Sequence, residues 1–242
     1  MRETLWLDQT GSTNSWLKEN AESVSPMTLV AAVSQTSGRG QRGNSWESEP
    51  GKNLTFSFYF NPEGILPSEQ FVVSEAVSLA MVAVLERYGI NALVKWPNDI
   101  YVGQRKIAGI LIENSIMGQT ISRCIAGIGL NVNQDEFHSD APNPVSMKML
   151  TGKNYNLEEL LSAVGEEMEK KIAQLGDRDS LHNEYLGRLW RSRGEYRFRD
   201  AATGEIFIAG IENIERSGHL VLTVSSTREK RRYAFKEVAF LV

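Results

Sequence analysis

Residues 54–60 constrain the fold more than any other stretch. Leu54, Phe56, Phe58 and Phe60 alternate with Thr55, Ser57 and Tyr59, the two-residue period of a β-strand. Such a strand must be paired, and the flanking sequence supplies partners. Residues 4–8 and 29–33 read as strands, as do 94–96, which stop at Pro97 because proline cannot donate to a ladder. Residues 100–102 and 106–108 form a hairpin about Gly103-Gln104, and 110–117 and 120–128 a second about Gly118-Gln119. Helices punctuate these strands. Ser12-Thr13-Asn14, all good N-cap types, opens one through Lys18. Pro67-Ser68 starts a long apolar helix ending at Gly89, and 135–144 read as a loop. Asn156-Leu157-Glu158-Glu159 resembles a capping box, and the following helix puts Leu160, Leu161, Val164 and Met168 on one side. A last helix covers 180–190. From Gly194 short strands alternate with Thr203-Gly204, Ser217-Gly218 and Ser225-Ser226-Thr227, the texture of a small β-barrel. The expectation is an α+β chain: a mixed, largely antiparallel sheet with flanking helices over 1–190, then a small domain over 191–242.

With 242 residues, 41% of them hydrophobic, the chain can bury one large core, or form one large and one small domain. Its net charge of -4 argues against a general nucleic-acid binder, although 191–242 carry 10 basic against 7 acidic residues. A single cysteine excludes an intrachain disulfide, the amino terminus shows no apolar signal core, and the apolar run 76–85 is too short to cross a bilayer. These features point to a soluble, cytoplasmic protein that binds neither DNA nor membranes.

Four segments carry chemistry. Ser37-Gly38-Arg39-Gly40-Gln41-Arg42-Gly43-Asn44-Ser45-Trp46 combines glycines, whose backbone can approach a ligand, with guanidinium forks suited to phosphate or carboxylate and an indole that can cover a ring. It fits neither the P-loop nor the dinucleotide-binding spacing. Lys95-Trp96-Pro97-Asn98-Asp99 ends a strand in an exposed turn. Arg105-Lys106-Ile107-Ala108-Gly109-Ile110-Leu111 places a lysine beside small residues. Gly127-Ile128-Gly129-Leu130-Asn131-Val132-Asn133 is a glycine-bearing strand end. Read singly, the first is a basic surface turn and the second a plain Asx turn. Cys124, in an apolar strand, reads as a packing residue, and His138, His182 and His219 are too scattered for a metal site or a triad.

Together with Ser12-Thr13-Asn14, these segments in this order resemble the biotin–protein ligase family (biotin–acetyl-CoA-carboxylase ligases) across residues 5–133. The resemblance implies a class II synthetase-like fold and, at the carboxyl end, an SH3-like barrel. Because no helix-turn-helix precedes the matched region, it implies the monofunctional form. It also implies two half-reactions: biotin and ATP give biotinyl-5′-adenylate, and a lysine of a biotin carboxyl carrier protein then takes the biotinyl group. Mg2+ accompanies ATP, and the enzyme is a monomer or homodimer. By motif position, Ser12, Thr13, Asn14, Gln35, Gly38, Arg39, Gln41, Lys106 and Gly109 meet biotin, with Arg39 and Lys106 catalytic. Arg42, Trp46, Asn98, Asp99 and Asn131 meet the nucleotide, and Asp99 helps to place the metal. The glycine loop is expected to order over the ligand. Gln41 stands where many members have arginine, which removes a positive charge beside the phosphate. Two alternatives remain. One is a lipoate–protein ligase or octanoyltransferase, which share the fold. The other is a non-catalytic regulator sensing biotinyl-adenylate.

Overall fold

The alternating strand lies inside a seven-stranded sheet. A computed structural model describes residues 3–138 and 143–241, excluding the Arg42 side chain. The sheet runs in the order β1 (Thr4–Thr10), β2 (Thr28–Gln35), β3 (Leu54–Phe60), β7 (Thr120–Leu130), β6 (Arg105–Met117), β5 (Asp99–Val102), β4 (Leu93–Lys95). Only β1 and β2 are parallel; every other neighbour is antiparallel. All seven β3 residues are buried, because both faces of the sheet are covered. Phe56, Phe58 and Phe60 enter the larger core, and Tyr59 enters a smaller one with Leu17, Val30 and Ile125.

The larger core is built on α2 (Phe71–Arg87), entered through a 3-10 turn at Pro67–Glu69 and left through Gly89, whose φ is 75°. The span 67–87 is long and apolar enough to cross a membrane by length and composition, but 72% of its apolar window is buried inside the fold. It is the central core helix. α4 (Leu157–Ala173) and α5 (Arg178–Gly187) pack on it. Asn156 caps α4 by accepting from the backbone N–H groups of Glu158 and Glu159. The short helix α3 (Met147–Thr151) was not foreseen.

Two expectations change. The strands read at 106–108 and 110–117 are one continuous strand, β6, that pairs with β5 and β7 on its two sides. Ser12 occupies the N-cap of α1 (Thr13–Asn20), but its side chain makes no capping bond. The Thr13 and Asn14 side chains bond instead to residues outside the helix.

A second, five-stranded antiparallel sheet follows, in the order β11 (Lys230–Tyr233), β10 (Leu220–Val224), β9 (Ile206–Ile214), β8 (Tyr196–Asp200), β12 (Val238–Phe240). It is fixed to the first sheet at several points. The Trp96 indole N–H donates to the Gly218 carbonyl at 2.9 Å, and the Trp190 ring lies 5.7 Å, centre to centre, from that of Phe240 on β12. Gly218 lies against Phe71.

Candidate active site

A cavity of about 1060 Å³ opens between the carboxyl half of β2, the glycine loop, the β5–β6 hairpin and the end of β12. Ser12, Thr13, Asn14, Gln35, Arg39, Gln41, Trp46, Asn98, Asp99, Lys106, Gly109 and Asn131 all line it. Gly38 does not. Its carbonyl accepts from Trp46 N–H, and a Cβ there would meet the Trp46 carbonyl oxygen at 2.6 Å, so Gly38 serves the turn of the loop. The Arg42 side chain lies outside the described residues.

One end of the cavity is neutral and polar. Gln35 Oε1 accepts from both the backbone N–H and the hydroxyl of Thr13, and Ser57 Oγ donates to Thr13 Oγ1 at 2.7 Å. The Gln35 amide nitrogen has no partner among the described residues and stays available as a donor. Asn14 also makes bonds within the protein. It is 2% exposed, its Nδ2 donates to Leu111 O and Glu113 Oε2, and its Oδ1 lies within hydrogen-bond reach of Ser57 Oγ. Asn14 therefore braces the cavity floor rather than offering free donors. A Cβ at Gly127 would lie 2.2 Å from its Oδ1, so that strand position must be glycine for the brace to seat.

Charged side chains line the cavity as well. Between Ile100 and Tyr101 the register of β5 on β6 shifts by one residue, a bulge that leaves Ile107 unpaired. Three positions before Gly109, Lys106 would face the opposite side of a regular strand; the bulge returns it to the same side. Its ammonium sits 2.7 Å from Asp99 Oδ1 and 5.5 Å from the Trp46 ring centre. Arg39 reaches Glu113 at 3.1 Å. Lys95 also lines the cavity. Its ammonium meets the Tyr101 hydroxyl at 3.0 Å and faces the Tyr101, Trp190 and Phe240 rings, and burial pulls its pKa down.

Trp46 anchors the glycine loop. Its indole lies on the strand glycines, where a Cβ on Gly129 would come within 2.2 Å of Cε2. The loop is folded on itself through Gly40 N–H to Asn44 O and an Arg39–Ser45 bridge. Trp46 Nε1 and Asn131 Oδ1 are both buried without a hydrogen-bond partner among the described residues. A buried orphan donor or acceptor costs about 1–3 kcal/mol, and both line this cavity. That pairing marks the place where a polar ligand belongs.

Several cavity residues escaped the sequence reading. Glu113, which lies beside the cavity and outside its lining, was legible in principle, since it shares a β6 face with Gly109 and Leu111. Phe235, Lys236, Val238, Ala239 and Phe240 reach the cavity from the second sheet, and no local pattern announces that. The one described cysteine is no nucleophile for this cavity. The Cys124 thiol is buried and its pKa is pushed up by desolvation. Among the described residues no group of three or more His, Cys, Asp and Glu is placed to hold a metal.

The model of the biotin/lipoate A/B protein ligase family matches residues 6–131. The chain belongs to this family. The biotin–[acetyl-CoA-carboxylase] ligase of Paracoccus denitrificans is 31% identical over 239 residues, covering 92% of this chain and 95% of that protein. The bifunctional ligase/repressor BirA of Bacillus subtilis is 36% identical over 135 residues, and the match spans only 40% of its length. Two further BirA proteins, from Salmonella typhimurium and Bacillus spizizenii, are matched over 41% and 42% of their lengths. In fold the chain is similar to the Aquifex aeolicus biotin protein ligase in complex with biotin and ATP, with a TM-score of 0.76, 24% identity, and coverage of 99% and 98%.

Proposed function

We propose that the chain activates biotin with ATP to biotinyl-5′-adenylate and transfers biotin to a lysine of a biotin carboxyl carrier domain. One observation carries the reading: a single cavity is lined both by neutral hydrogen-bonding side chains, Thr13 and Gln35, and by two cations, Arg39 and Lys106. Biotin carries a partner for each kind of side chain, a ureido ring and a carboxylate. In the first step a biotin carboxylate oxygen attacks the α-phosphorus and pyrophosphate leaves. In the second, the lysine amine attacks the mixed-anhydride carbonyl and AMP leaves.

Ser12, Thr13 and Gln35 hold the ring, because hydroxyls and an amide supply both donors and acceptors. Gly109 gives the chain of the substrate room. Arg39 and Lys106 gather the reacting anions and stabilise the charge that develops between them, which is where phosphoryl transfer gains most. Trp46, Asn98 and Asn131 meet the nucleotide, whose polar atoms would satisfy the indole N–H and the Asn131 carbonyl. Mg2+ fits as an ion carried by the phosphates, since Asp99 and Glu47 are the only described carboxylates lining the cavity. When bound, it neutralises phosphate charge. Gln41 leaves the phosphate with one positive charge fewer than an arginine would.

Residues 1–190 then form the catalytic domain, and 191–242 form an SH3-like domain that closes its nucleotide end, in the cytoplasm. The lipoate reading is disfavoured by the neutral polar end, which suits a ureido ring better than a dithiolane. The test is intact-mass measurement of a carrier domain after incubation with the protein, ATP, Mg2+ and biotin. A gain of one biotinyl amide on its lysine is expected; a gain only with lipoate overturns the assignment.

A further inference from the structure

Glu113 lies outside the cavity lining yet ties three of its neighbours together. Its carboxylate accepts from Asn14 Nδ2 at 2.8 Å and from Lys18 Nζ at 2.6 Å. It accepts from both terminal nitrogens of Arg39, at 3.1 and 3.4 Å. The three partners come from different places: Asn14 and Lys18 from α1, Arg39 from the glycine loop. Asn14 is buried, whereas the Lys18 and Arg39 side chains are 49% and 44% exposed and that of Glu113 is 16% exposed. Burial alone would raise the Glu113 pKa, but the hydrogen bonds from Lys18 and Asn14 and the charge of Arg39 outweigh it and hold the carboxyl below its ordinary value.

The two ends of this network differ in strength. Asn14 is fixed on all sides, so the carboxylate stays where it is. The contact to Arg39 is half exposed, and an ion pair of that kind contributes little net stability. A long, flexible guanidinium can leave it for a better anion inside the cavity. We propose that Glu113 is the displaceable counter-ion of Arg39: it holds the guanidinium and the glycine loop in the free protein and yields them to the carboxylate of the substrate. Glu113 is then a positioning residue that sets anion affinity and takes no part in the chemistry. Lys18, on the same carboxylate, weakens its hold on Arg39. The anion half of this proposal rests on the biotin reading above; the hold on the loop does not.

The test compares biotin with biotinol, the alcohol that keeps the ring and lacks the charge, by titration calorimetry. Glu113→Gln keeps an oxygen acceptor for Asn14 while removing the competing charge. Biotin should bind about three- to fivefold more tightly to it than to the unsubstituted protein, the size expected of a half-exposed ion pair, and biotinol equally. Lys18→Gln, at an exposed position, should shift biotin affinity the opposite way. Without ligand, trypsin should cut after Arg39 faster in Glu113→Gln. A merely structural role would move biotin and biotinol together and give both variants the same sign. Unchanged or weaker biotin binding by Glu113→Gln, or equal tryptic rates, overturns the proposal. An unsubstituted protein that binds neither probe overturns the biotin reading and the anion half with it, while the tryptic rates still decide whether Glu113 holds the loop.

Discussion

At the scale of single residues, the bulge at Ile107 determines what Lys106 can do. Without it the ammonium would point away from Asp99 and Gly109; with it, a cation stands beside Asp99 in the cavity lining. Lys106→Ala should therefore lower adenylate formation at least tenfold, since a charged contact to a developing phosphate charge contributes about 2–4 kcal/mol. Biotin-dependent pyrophosphate release measures it, with circular dichroism unchanged. Near-normal release would remove Lys106 from the chemistry. The lysine was visible in the sequence through its small neighbours. The bulge was not, because it arises from the pairing of two strands rather than from either one. Asn14 shows the opposite lesson. Its position beside the cavity was legible, but its bracing bonds were not, because Ser57, Leu111 and Glu113 reach it from distant parts of the chain.

At the scale of elements, α2 and α5 are joined through a buried acid. Glu75 is 2% exposed on α2, and its carboxylate is 2.6 Å from His182 Nδ1 on α5. Burial pushes the Glu75 pKa above its ordinary 4.5, and the His182 hydrogen bond and charge pull it back only in part. Removing the partner leaves a buried carboxyl unpaired, so His182→Ala should cost about 3 kcal/mol or more near neutral pH. The sign of the pH dependence follows. A carboxyl with a raised folded pKa binds more protons folded than unfolded, so stability is fullest below 4.5 and is lost as pH rises through the folded value. Without His182 that value rises further, and the loss should be smaller at about pH 5 than at about pH 8. Urea denaturation at the two pH values checks this; an equal or larger loss at the acid end contradicts it. The period-2 strand β3 and the apolar helix α2 were readable because each buries a repeating pattern. The junction of β6 was not, since one strand with different partners along its length reads as two.

At the scale of the whole molecule, the second sheet completes a cavity begun by the first. Phe235 and Phe240 line it, and Trp96, next to the Asn98 turn, is pinned to the second sheet through Gly218. Gly218 has φ 87°, and a Cβ there would meet Phe71 at 2.7 Å. Gly218→Ala should thus lower stability by about 2–4 kcal/mol, combining a left-handed backbone with overpacking. The same change should reduce ATP-dependent activity more than biotin binding, because the neutral polar end lies on the first sheet. Thermal unfolding, biotin titration and pyrophosphate release separate these effects; equal losses of binding and activity would contradict the division. The strand texture of this region was plain in its alternating Leu220, Leu222 and Val224, but its approach to the cavity depends on long-range contacts that no local pattern encodes. The central claim is that this cavity activates biotin. It is tested most directly by ATP–pyrophosphate exchange with biotin, lipoate and octanoate offered separately. Exchange with biotin alone, lost in Lys106→Ala, is the predicted result. Exchange driven by lipoate or octanoate and absent with biotin would contradict it.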